Sequence, residues 1–409
     1  MSNQRPRIAI VGGNFAGLSA AIKLPRQVDV TLLDAHRHFE WIPNIHELLS
    51  SVKTPQALRL DRADVLKRAG HRFVQDSVVD LQAAAGRLVT AGGLELAFDA
   101  CIVAVGGLSN THGVPGVAKH ALPMRSIADA LQIERSLAEL LAQDQPLNIV
   151  IAGGGISGIE ALGEILRRHR HRRGLSIDLV EAAPRVLFGQ PSTLDADLRK
   201  LCRPWPVRFH TDAMIASVTP KGVRLVSGER LRSDLTIWAA GLAPPALLAD
   251  SGLAETPTAW APVAQTLQSA HFKQVFVAGD AAAMPKPLGK QAYNAIDMGE
   301  MAAANVQRFL TGQPLRDFKP APQPLLVAFG DLQTYLVAGR TVLASQALAG
   351  AKEGVFQLFM SKLTPGNLLT SLPETGGRLW QSWRDLALPQ LASLTDFKAL
   401  HGFGAIRRL

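Results

Sequence analysis

A chain of 409 residues exceeds the length that one hydrophobic core usually supports, so we expect two or three domains. Hydrophobic residues make up 47% of the chain, which is typical of a globular protein, and no apolar run reaches the roughly 18 residues that would span a bilayer. The net charge of +9 favours an acidic partner, but the chain contains no recognisable nucleic-acid module, so nucleic acid is not expected.

The first predicted element is a strand that begins at Arg7, which leaves no room for a signal peptide. The chain has 2 cysteines and no export signal, so a reducing cytosol is the expected compartment. We therefore expect a cytoplasmic protein. Peripheral binding to the cytoplasmic face of the membrane is the alternative location.

A glycine-rich turn follows the strand Arg7–Val11 and precedes a helix that continues through Leu18. The next strand, Val28–Leu33, ends at Asp34. In a dinucleotide-binding unit the glycines allow a pyrophosphate to approach the helix N-terminus, and the acid at the end of the next strand accepts hydrogen bonds from a ribose. This first unit is complete.

The middle of the chain contains a buried parallel strand, Phe98–Val105, which ends in Gly106 and Gly107. Glycines at that point would let a ligand lie against the backbone. Residues 125–145 have the periodicity of a long amphipathic helix.

Residues 147–242 repeat the same scheme. A strand runs into Gly153-Gly154-Gly155-Ile156-Ser157-Gly158, Glu181 ends the following strand, and a later strand ends in Ala240 and Gly241. Two complete units in one chain indicate internal repeats and two bound dinucleotides, between which electrons pass.

The segment Gln274–Ala283 is predicted to be a strand that runs into a helix N-terminus, with Asp280 at the junction. A further helix is predicted from near Gln291 to Gly312, and short alternating runs in residues 313–360 predict a small β-containing third domain. The tail after Pro365 is mixed and amphipathic. Its stretch from Arg378 to Leu388 has alternative interpretations: a bilayer interface, packing on the third domain or a dimer interface.

Three other features receive ordinary interpretations. Cys101 and Cys202 are expected to be structural, and the sorting-like motif Leu372–Gly376 is interpreted as a coincidence. The basic run Arg167–Arg173 follows the helix of the second unit, and both a solvated helix end and an anionic docking surface remain open for it.

With these motifs, residues 7 to 340 resemble the pyridine-nucleotide oxidoreductase flavoproteins, in particular type II NADH:quinone dehydrogenases and apoptosis-inducing-factor-like quinone reductases. The resemblance implies an α/β fold with two Rossmann-like dinucleotide-binding domains and a small C-terminal α+β domain. It places the FAD domain in residues 1–123 and 260–313, the NAD(P)H domain in 124–259 and the C-terminal domain in 314–409.

The resemblance also implies the cofactor-binding residues. They lie in the two glycine turns, at the ends of the strands and around Asp280, where the Asp would bind the flavin ribityl chain. The full set is Gly12, Gly13, Asn14, Phe15, Ala16, Gly17, Asp34, Pro43, Val78, Ala104, Gly106, Gly279, Asp280, Lys290, Gln291, Ala292, Gly153, Gly155, Ile156, Ser157, Glu181, Ala240 and Gly241. No metal site is expected.

Two residues are candidates for a catalytic role. Glu160 lies on the first turn of the second nucleotide helix. It is interpreted either as a proton relay or gate, or as a structural carboxylate that the helix N-terminus stabilises. Lys290 would lie against the flavin pyrimidine edge, where a cation favours the reduced flavin, unless it is a solvated lysine. NADH is expected to be preferred because Glu181 repels a 2′-phosphate, although Arg185 nearby opposes that preference.

The chain departs from the family pattern at three positions. Asn14 replaces a glycine of the first turn, and we expect it to tolerate a positive φ there. Tyr293 and Asp297 stand where type II dehydrogenases carry glutamines beside their quinone site, and they are the expected quinone-binding residues.

The predicted function is that of an FAD-dependent NAD(P)H dehydrogenase that passes electrons to a quinone or similar small acceptor. The alternatives are a ferredoxin or rubredoxin reductase and an NADH-sensing protein with slow turnover. An anionic membrane surface and a second copy of the chain are the other expected partners.

Overall fold

The structure is a computed structural model that describes residues 5–322, 324–363 and 404–405. The chain forms two compact units. The first contains the described residues through Trp41, Arg59–Leu108 and Leu242–Pro320, and the second contains Ile42–Leu58, Ser109–Gly241 and the described residues from Ala321 on. The two-residue strands Leu108–Ser109 and Leu242–Ala243 lie at chain positions where one unit gives way to the other.

A five-stranded parallel sheet forms the centre of the first unit. Its strands are, in spatial order, Val275–Val277, Ala100–Val103, Arg7–Val11, Asp29–Asp34 and Arg72–Gln75. Ile8, Ala9 and Ile10 of the middle strand are fully buried, as expected for a strand covered on both faces. Because parallel strands share their carboxyl-terminal edge, the predicted site residues that follow these strands lie along one edge of this sheet.

The first unit contains the helices Phe15–Lys23, Arg62–Ala69, Leu247–Asp250 and Ala292–Leu310. The last of these packs closely on the first, since a Cβ atom at Gly299 would collide with the carbonyl oxygen of Ala16. The helix predicted near Gln291 is therefore confirmed. The helix predicted directly after Asp280 is wrong, since Gly279–Ala281 forms only one 3-10 turn. Pro285 and Pro287 disfavour the helical conformation at the residues that precede them, Met284 and Lys286.

Smaller elements complete the first unit. They are the antiparallel pair His38–Glu40 and Arg59–Asp61, the parallel pair Ala261–Pro262 and Ala282–Ala283, the 3-10 helix Ala83–Ala85, and the antiparallel sheet Val78–Gln82, Arg87–Thr90 and Glu95–Ala97.

The second unit repeats the parallel architecture. Its five-stranded sheet has the spatial order Leu122–Pro123, Leu235–Trp238, Leu147–Ala152, Leu175–Val180 and Val207–His210. Its helices are Val117–His120, Ile127–Leu141, Ile156–His169, Ser192–Cys202 and Leu348–Leu363, and its 3-10 helices are Ile42–Leu48 and Pro55–Leu58. Ile127–Leu141 lies within the amphipathic helix predicted for residues 125–145.

Two antiparallel sheets also belong to the second unit. One contains Ile215–Thr219, Gly222–Leu225 and Arg230–Arg232, and the other contains Leu325–Phe329, Gln333–Ala338, Thr341–Ala344 and Gly404–Ala405. The predicted membrane or interface stretch from Arg378 to Leu388 and the motif Leu372–Gly376 lie outside the described residues. Within the described part of the chain, none of the helices has the length and apolar character needed to cross a bilayer.

A close backbone contact joins the second nucleotide helix to the C-terminal antiparallel sheet. A Cβ atom at Gly163 would lie 2.5 Å from the nitrogen of Gly330 and 2.7 Å from the carbonyl carbon of Phe329. Since backbone atoms cannot move aside as a flexible side chain can, only glycine fits at position 163.

This contact predicts opposite effects for two helical glycines of the same unit. Gly163→Ala should destabilise the protein by about 1–3 kcal/mol through overpacking. Gly350→Ala is the matched control because a Cβ atom there meets no atom within 4 Å, so it should stabilise its helix by about 0.5–1 kcal/mol. Thermal unfolding measures both changes, and a Gly163→Ala midpoint equal to that of the wild type would contradict the contact.

Candidate functional site

The first glycine turn is shaped by backbone crowding. Gly12 has a φ of +95°, and a Cβ atom at Gly17 would collide with the carbonyl oxygen of Gly12. Asn14 has a φ of −91°, so the turn does not use the positive φ that we expected this residue to tolerate. Its side-chain oxygen accepts a hydrogen bond from the Glu40 amide at 3.3 Å, which ties the turn to the neighbouring strand.

Asp34 fixes the first turn from the end of the next strand. Its Oδ2 accepts the Gly13 amide at 2.7 Å, and its Oδ1 accepts the His36 amide at 2.8 Å. A carboxylate oriented by two backbone donors still has lone pairs available for ribose hydroxyls. The geometry therefore fits the ribose role that the sequence predicted.

Arg62 also belongs to this site, although no sequence motif predicted it. Its guanidinium lies 3.3 Å from Asp34 Oδ2 and donates to the carbonyl oxygens of Gly13 at 2.6 Å and His36 at 2.5 Å. Burial lowers the pKa of Arg62, and the Asp34 carboxylate opposes that shift. The arginine thus holds the turn, the acid and the following loop together.

The second glycine turn has the same construction. Gly153 has a φ of +103°, and a Cβ atom at Gly158 would collide with the carbonyl oxygen of Gly153. Glu181 Oε2 accepts the Gly154 amide at 2.6 Å, and its Oε1 accepts the Ala183 amide at 2.8 Å. The two turns therefore share one hydrogen-bonding arrangement.

The second turn differs from the first in charge. Within the described residues no cation pairs with Glu181, and Val186 occupies the place beside Gly154 that Arg62 occupies beside Gly13. Arg185 instead donates to the carbonyl oxygens of Leu187 and Phe188. The negative charge of Glu181 is consequently not neutralised by Arg185.

Open space borders the second turn and a strand end of the first unit. The helix Ile156–His169 begins directly after Gly155, where an added Cβ atom would meet no atom within 4 Å. Gly106, at the end of the strand Ala100–Val103, is equally open. Such open glycines at strand and helix ends allow a pyrophosphate or a ring to lie against the backbone.

Asp280 and Lys290 lie together in the first unit. Asp280 is in the 3-10 turn that follows the strand Val275–Val277, and Gly279 before it has a φ of +72°. The Ala278 amide donates to the carbonyl oxygen of Val103 at 3.0 Å, which aligns this strand end with that of Ala100–Val103. The Lys290 ammonium donates to the carbonyl oxygen of Asp280.

Tyr293 and Asp297 lie one turn apart at the start of the helix Ala292–Leu310, with Gln291 as its N-cap residue. Both residues are half-buried. Burial raises the pKa of Tyr293 to about 12, so its hydroxyl stays protonated and can donate a hydrogen bond at neutral pH. These two predicted quinone ligands therefore share one helix face.

Glu160 lies in a buried polar cluster of the second unit. Its Oε1 lies 2.6 Å from the Lys352 ammonium and accepts the Ala328 amide at 3.2 Å, and its Oε2 lies 3.3 Å from His46 Nδ1. The Lys352 ammonium also lies 3.3 Å from His46 Nε2, which closes the ring of contacts. No sequence pattern predicted His46 or Lys352, because both are remote in the chain from the glycine turn.

Burial controls the protonation of this cluster. It raises the pKa of Glu160, and the Lys352 ammonium opposes that shift. Burial and the Lys352 charge hold the pKa of His46 well below its usual value, so the imidazole is neutral. With Lys352 donating to Nε2, the neutral ring carries its proton on Nδ1, the nitrogen that lies nearer to Glu160 Oε2.

The remaining implied residues are dispersed. Pro43 lies in the 3-10 helix Ile42–Leu48 of the second unit, and Val78 begins the strand Val78–Gln82 of the first. Ala240, whose carbonyl oxygen accepts a hydrogen bond from His112 Nε2, is followed by Gly241 with a φ of +94°.

The basic run is largely ion-paired. Arg168, Arg170 and Arg172 pair with Glu134, Asp331 and Asp144 respectively. Much of the positive charge is therefore balanced within the second unit, and this observation adds no support for an anionic docking surface.

Neither cysteine is suited to thiol chemistry. Both are buried, and burial raises the pKa of Cys202 to about 12 and that of Cys101 further. Among the described residues, no group of His, Cys, Asp and Glu side chains is arranged to hold a metal ion.

Comparison with known proteins gives the family. Residues 6–299 match the model of the pyridine nucleotide-disulphide oxidoreductase family. The type II NADH:quinone oxidoreductase of Staphylococcus aureus (strain NCTC 8325 / PS 47) is 25% identical over 359 residues, which cover 81% of this chain and 89% of the relative.

Solved structures confirm the predicted fold class. NDH2 from Plasmodium falciparum in complex with NADH has a TM-score of 0.80 at 16% identity, over 87% of this chain and 95% of that one. The sulfide:quinone oxidoreductase of Aquifex aeolicus has a TM-score of 0.80 at 16% identity, over 98% and 97% of the two chains.

The family match covers most of the chain, and the two nucleotide turns are the features on which the predicted resemblance rested. The chain therefore belongs to the pyridine nucleotide-disulphide oxidoreductase family and is an FAD-dependent oxidoreductase.

Proposed function

We propose that the protein is an NADH:quinone oxidoreductase, with FAD in the first unit and NADH in the second. The reaction consumes NADH, one proton and a quinone, and it yields NAD⁺ and a quinol. The observation that carries this proposal is that each unit contains a complete glycine turn clamped by its own acid. The similarity to the type II NADH:quinone oxidoreductase of Staphylococcus aureus supports quinone as the acceptor.

The protein contributes binding and charge rather than a nucleophile, since both thiols are buried. The glycine turns would hold the pyrophosphates, Asp34 and Glu181 would hold the riboses, and Asp280 would accept a hydrogen bond from the ribityl chain. Bound FAD supplies the chemistry that accepts a hydride from the nicotinamide and returns two electrons to a second acceptor. The Lys290 ammonium favours the negative charge of the reduced ring.

Glu160 supplies the proton that NADH does not provide. Burial raises the pKa of this carboxyl group, so it holds its proton to higher pH than an exposed carboxyl group does, and His46 and Lys352 orient it. Tyr293 and Asp297 bind the quinone, through the aromatic face and hydroxyl of Tyr293 and through the carboxyl group of Asp297. Because an ionised carboxylate only accepts hydrogen bonds, whereas the glutamine of type II dehydrogenases can also donate them, we expect slow use of ordinary membrane quinones. A quinone dissolved in the bilayer would require peripheral binding to the cytoplasmic membrane face.

The quinone assignment predicts a selective defect in Tyr293→Ala. Turnover with a water-soluble quinone should fall by roughly tenfold in kcat/KM, equivalent to about 1.4 kcal/mol of lost transition-state binding. Bleaching of the flavin by NADH should be unchanged, because that step needs no quinone. Tyr293→Phe keeps the aromatic ring, so its kcat/KM for the quinone should fall less than that of Tyr293→Ala.

Steady-state NADH oxidation with a quinone and rapid-mixing flavin reduction provide the two measurements. If the wild-type protein reduces an iron–sulfur protein but no quinone, the acceptor is a protein and the proposal fails.

NADH should be preferred to NADPH because no cation neutralises Glu181 within the described residues. Glu181→Gln removes the charge, so the ratio of kcat/KM for NADPH to that for NADH should rise by roughly tenfold. Glu229→Gln, at an exposed position of the same unit, is the charge-matched control and should leave the ratio unchanged. Equal ratios in the wild type and Glu181→Gln would rule out discrimination by this carboxylate.

The proton role predicts a shift in pH dependence. Turnover should decline as pH rises through the pKa of Glu160, since only the protonated acid donates. Lys352→Met removes the cation that favours the carboxylate, so the pKa of Glu160 should rise and the declining limb should move to higher pH by about one unit. Lys200→Met, on the exposed side of the helix Ser192–Cys202, is the control, and a Lys352→Met profile that superimposes on the wild type would contradict this role.

A further inference from the structure

Trp260 is brought next to the Asp280 turn by a short parallel strand pair. Ala261–Pro262 pairs with Ala282–Ala283, with Ala261 opposite Ala282. The residue before the first strand, Trp260, therefore lies beside the residues that immediately follow Asp280. Nothing in the sequence motifs predicts this placement, because the glycine turns and the Asp280 segment contain no tryptophan.

The tryptophan ring contacts Lys290 on one face. The Lys290 ammonium lies 3.4 Å from the ring centroid of Trp260 and also donates to the carbonyl oxygen of Asp280. Tryptophan has the most favourable ring for a cation–π contact, and 3.4 Å is well within the distance at which this attraction operates. The ammonium is thus held between a π face and a carbonyl oxygen.

The ring is itself held in place by Gly107. A Cβ atom at Gly107 would lie 2.9 Å from Cη2 of Trp260, so the ring edge packs against a backbone that only glycine leaves uncovered. Gly107 follows the open Gly106 at the end of the strand Ala100–Val103. The ring therefore lies between two segments of the first unit, and the Lys290 ammonium contacts its face.

This contact restricts the position of an exposed positive charge. Lys290 is exposed, and a lysine side chain has many rotamers to lose when it is fixed. A cation–π contact of ordinary strength would raise the occupancy of the observed position by roughly two- to thirtyfold.

We propose that Trp260 is a positioning residue that holds the Lys290 ammonium beside Asp280, so that a fixed positive charge faces the flavin edge. This inference rests on the assignment of Lys290 under the proposed function. A fixed cation there stabilises negative charge on the flavin, so it raises both the midpoint potential of bound FAD and the affinity of the flavin for anionic adducts.

Sulfite is the probe that tests this charge directly. It adds to flavin N5 through its sulfur lone pair and leaves a negative charge on the pyrimidine edge of the ring. In Trp260→Leu the dissociation constant for sulfite should rise by roughly three- to tenfold, and the midpoint potential should become more negative. Lys290→Met should give a shift at least as large, and the double variant should match Lys290→Met alone, because the tryptophan acts only through the lysine.

Two further variants provide the controls. Trp205→Leu removes a half-buried tryptophan of the second unit and should leave both measurements at the wild-type values. Trp260→Phe keeps a smaller π face, so an intermediate dissociation constant is expected. If Trp260→Leu does not retain flavin, Trp260→Phe decides, since a wild-type sulfite affinity in that variant would contradict the proposal.

The proposal is overturned if Trp260→Leu binds sulfite as the wild type does, or if the shifts of the two single variants add in the double variant. Both measurements need bound flavin but neither nicotinamide nor quinone. A protein that fails to reduce quinones therefore still tests the role of Trp260, and the failure of one proposal can be told from that of the other.

Discussion

Each unit depends on the hydrogen bond between a glycine amide of its turn and a carboxylate at the end of the next strand. Gly13 donates to Asp34, and Gly154 donates to Glu181. The amide would otherwise lack a partner in a turn crowded against backbone, and the carboxylate would lack a fixed orientation. One interaction thus closes the turn and aims the acid, and the other contacts of each site are arranged around it.

The two halves differ in what surrounds that shared interaction. Arg62 neutralises Asp34 and joins it to the turn and the following loop. The first site is therefore balanced in charge and held by several contacts, which suits a cofactor that stays bound. Glu181 has no such partner among the described residues, which suits a nucleotide that must arrive and leave in each turnover. The buried Glu160–His46–Lys352 cluster adds a protonatable group to the second unit, whereas the first unit contributes the ammonium of Lys290.

The sequence predicted the parts of this design that depend on short-range patterns. Glycine spacing, apolar runs and the acids after each strand were sufficient for Gly12, Gly153, Asp34 and Glu181, and for the helix now bounded by Ala292–Leu310. It could not predict Arg62, Lys352 or Trp260, since each reaches its partner through tertiary packing that leaves no periodic signal. The helix expected after Asp280 is wrong because Pro285 and Pro287 outweigh the pattern of strand, glycine and acid. The tolerance of positive φ expected of Asn14 is not needed, since Gly12 carries the positive φ of that turn.

In the proposed reaction, electrons pass from NADH to bound FAD and then to a quinone. An anaerobic double-mixing experiment observes both steps: NADH is mixed with the protein until the flavin absorbance is bleached, and a water-soluble quinone is then added. We expect bleaching in the first step and recovery of the absorbance in the second, faster than with dissolved oxygen. A flavin that NADH bleaches but no quinone reoxidises faster than oxygen would contradict it.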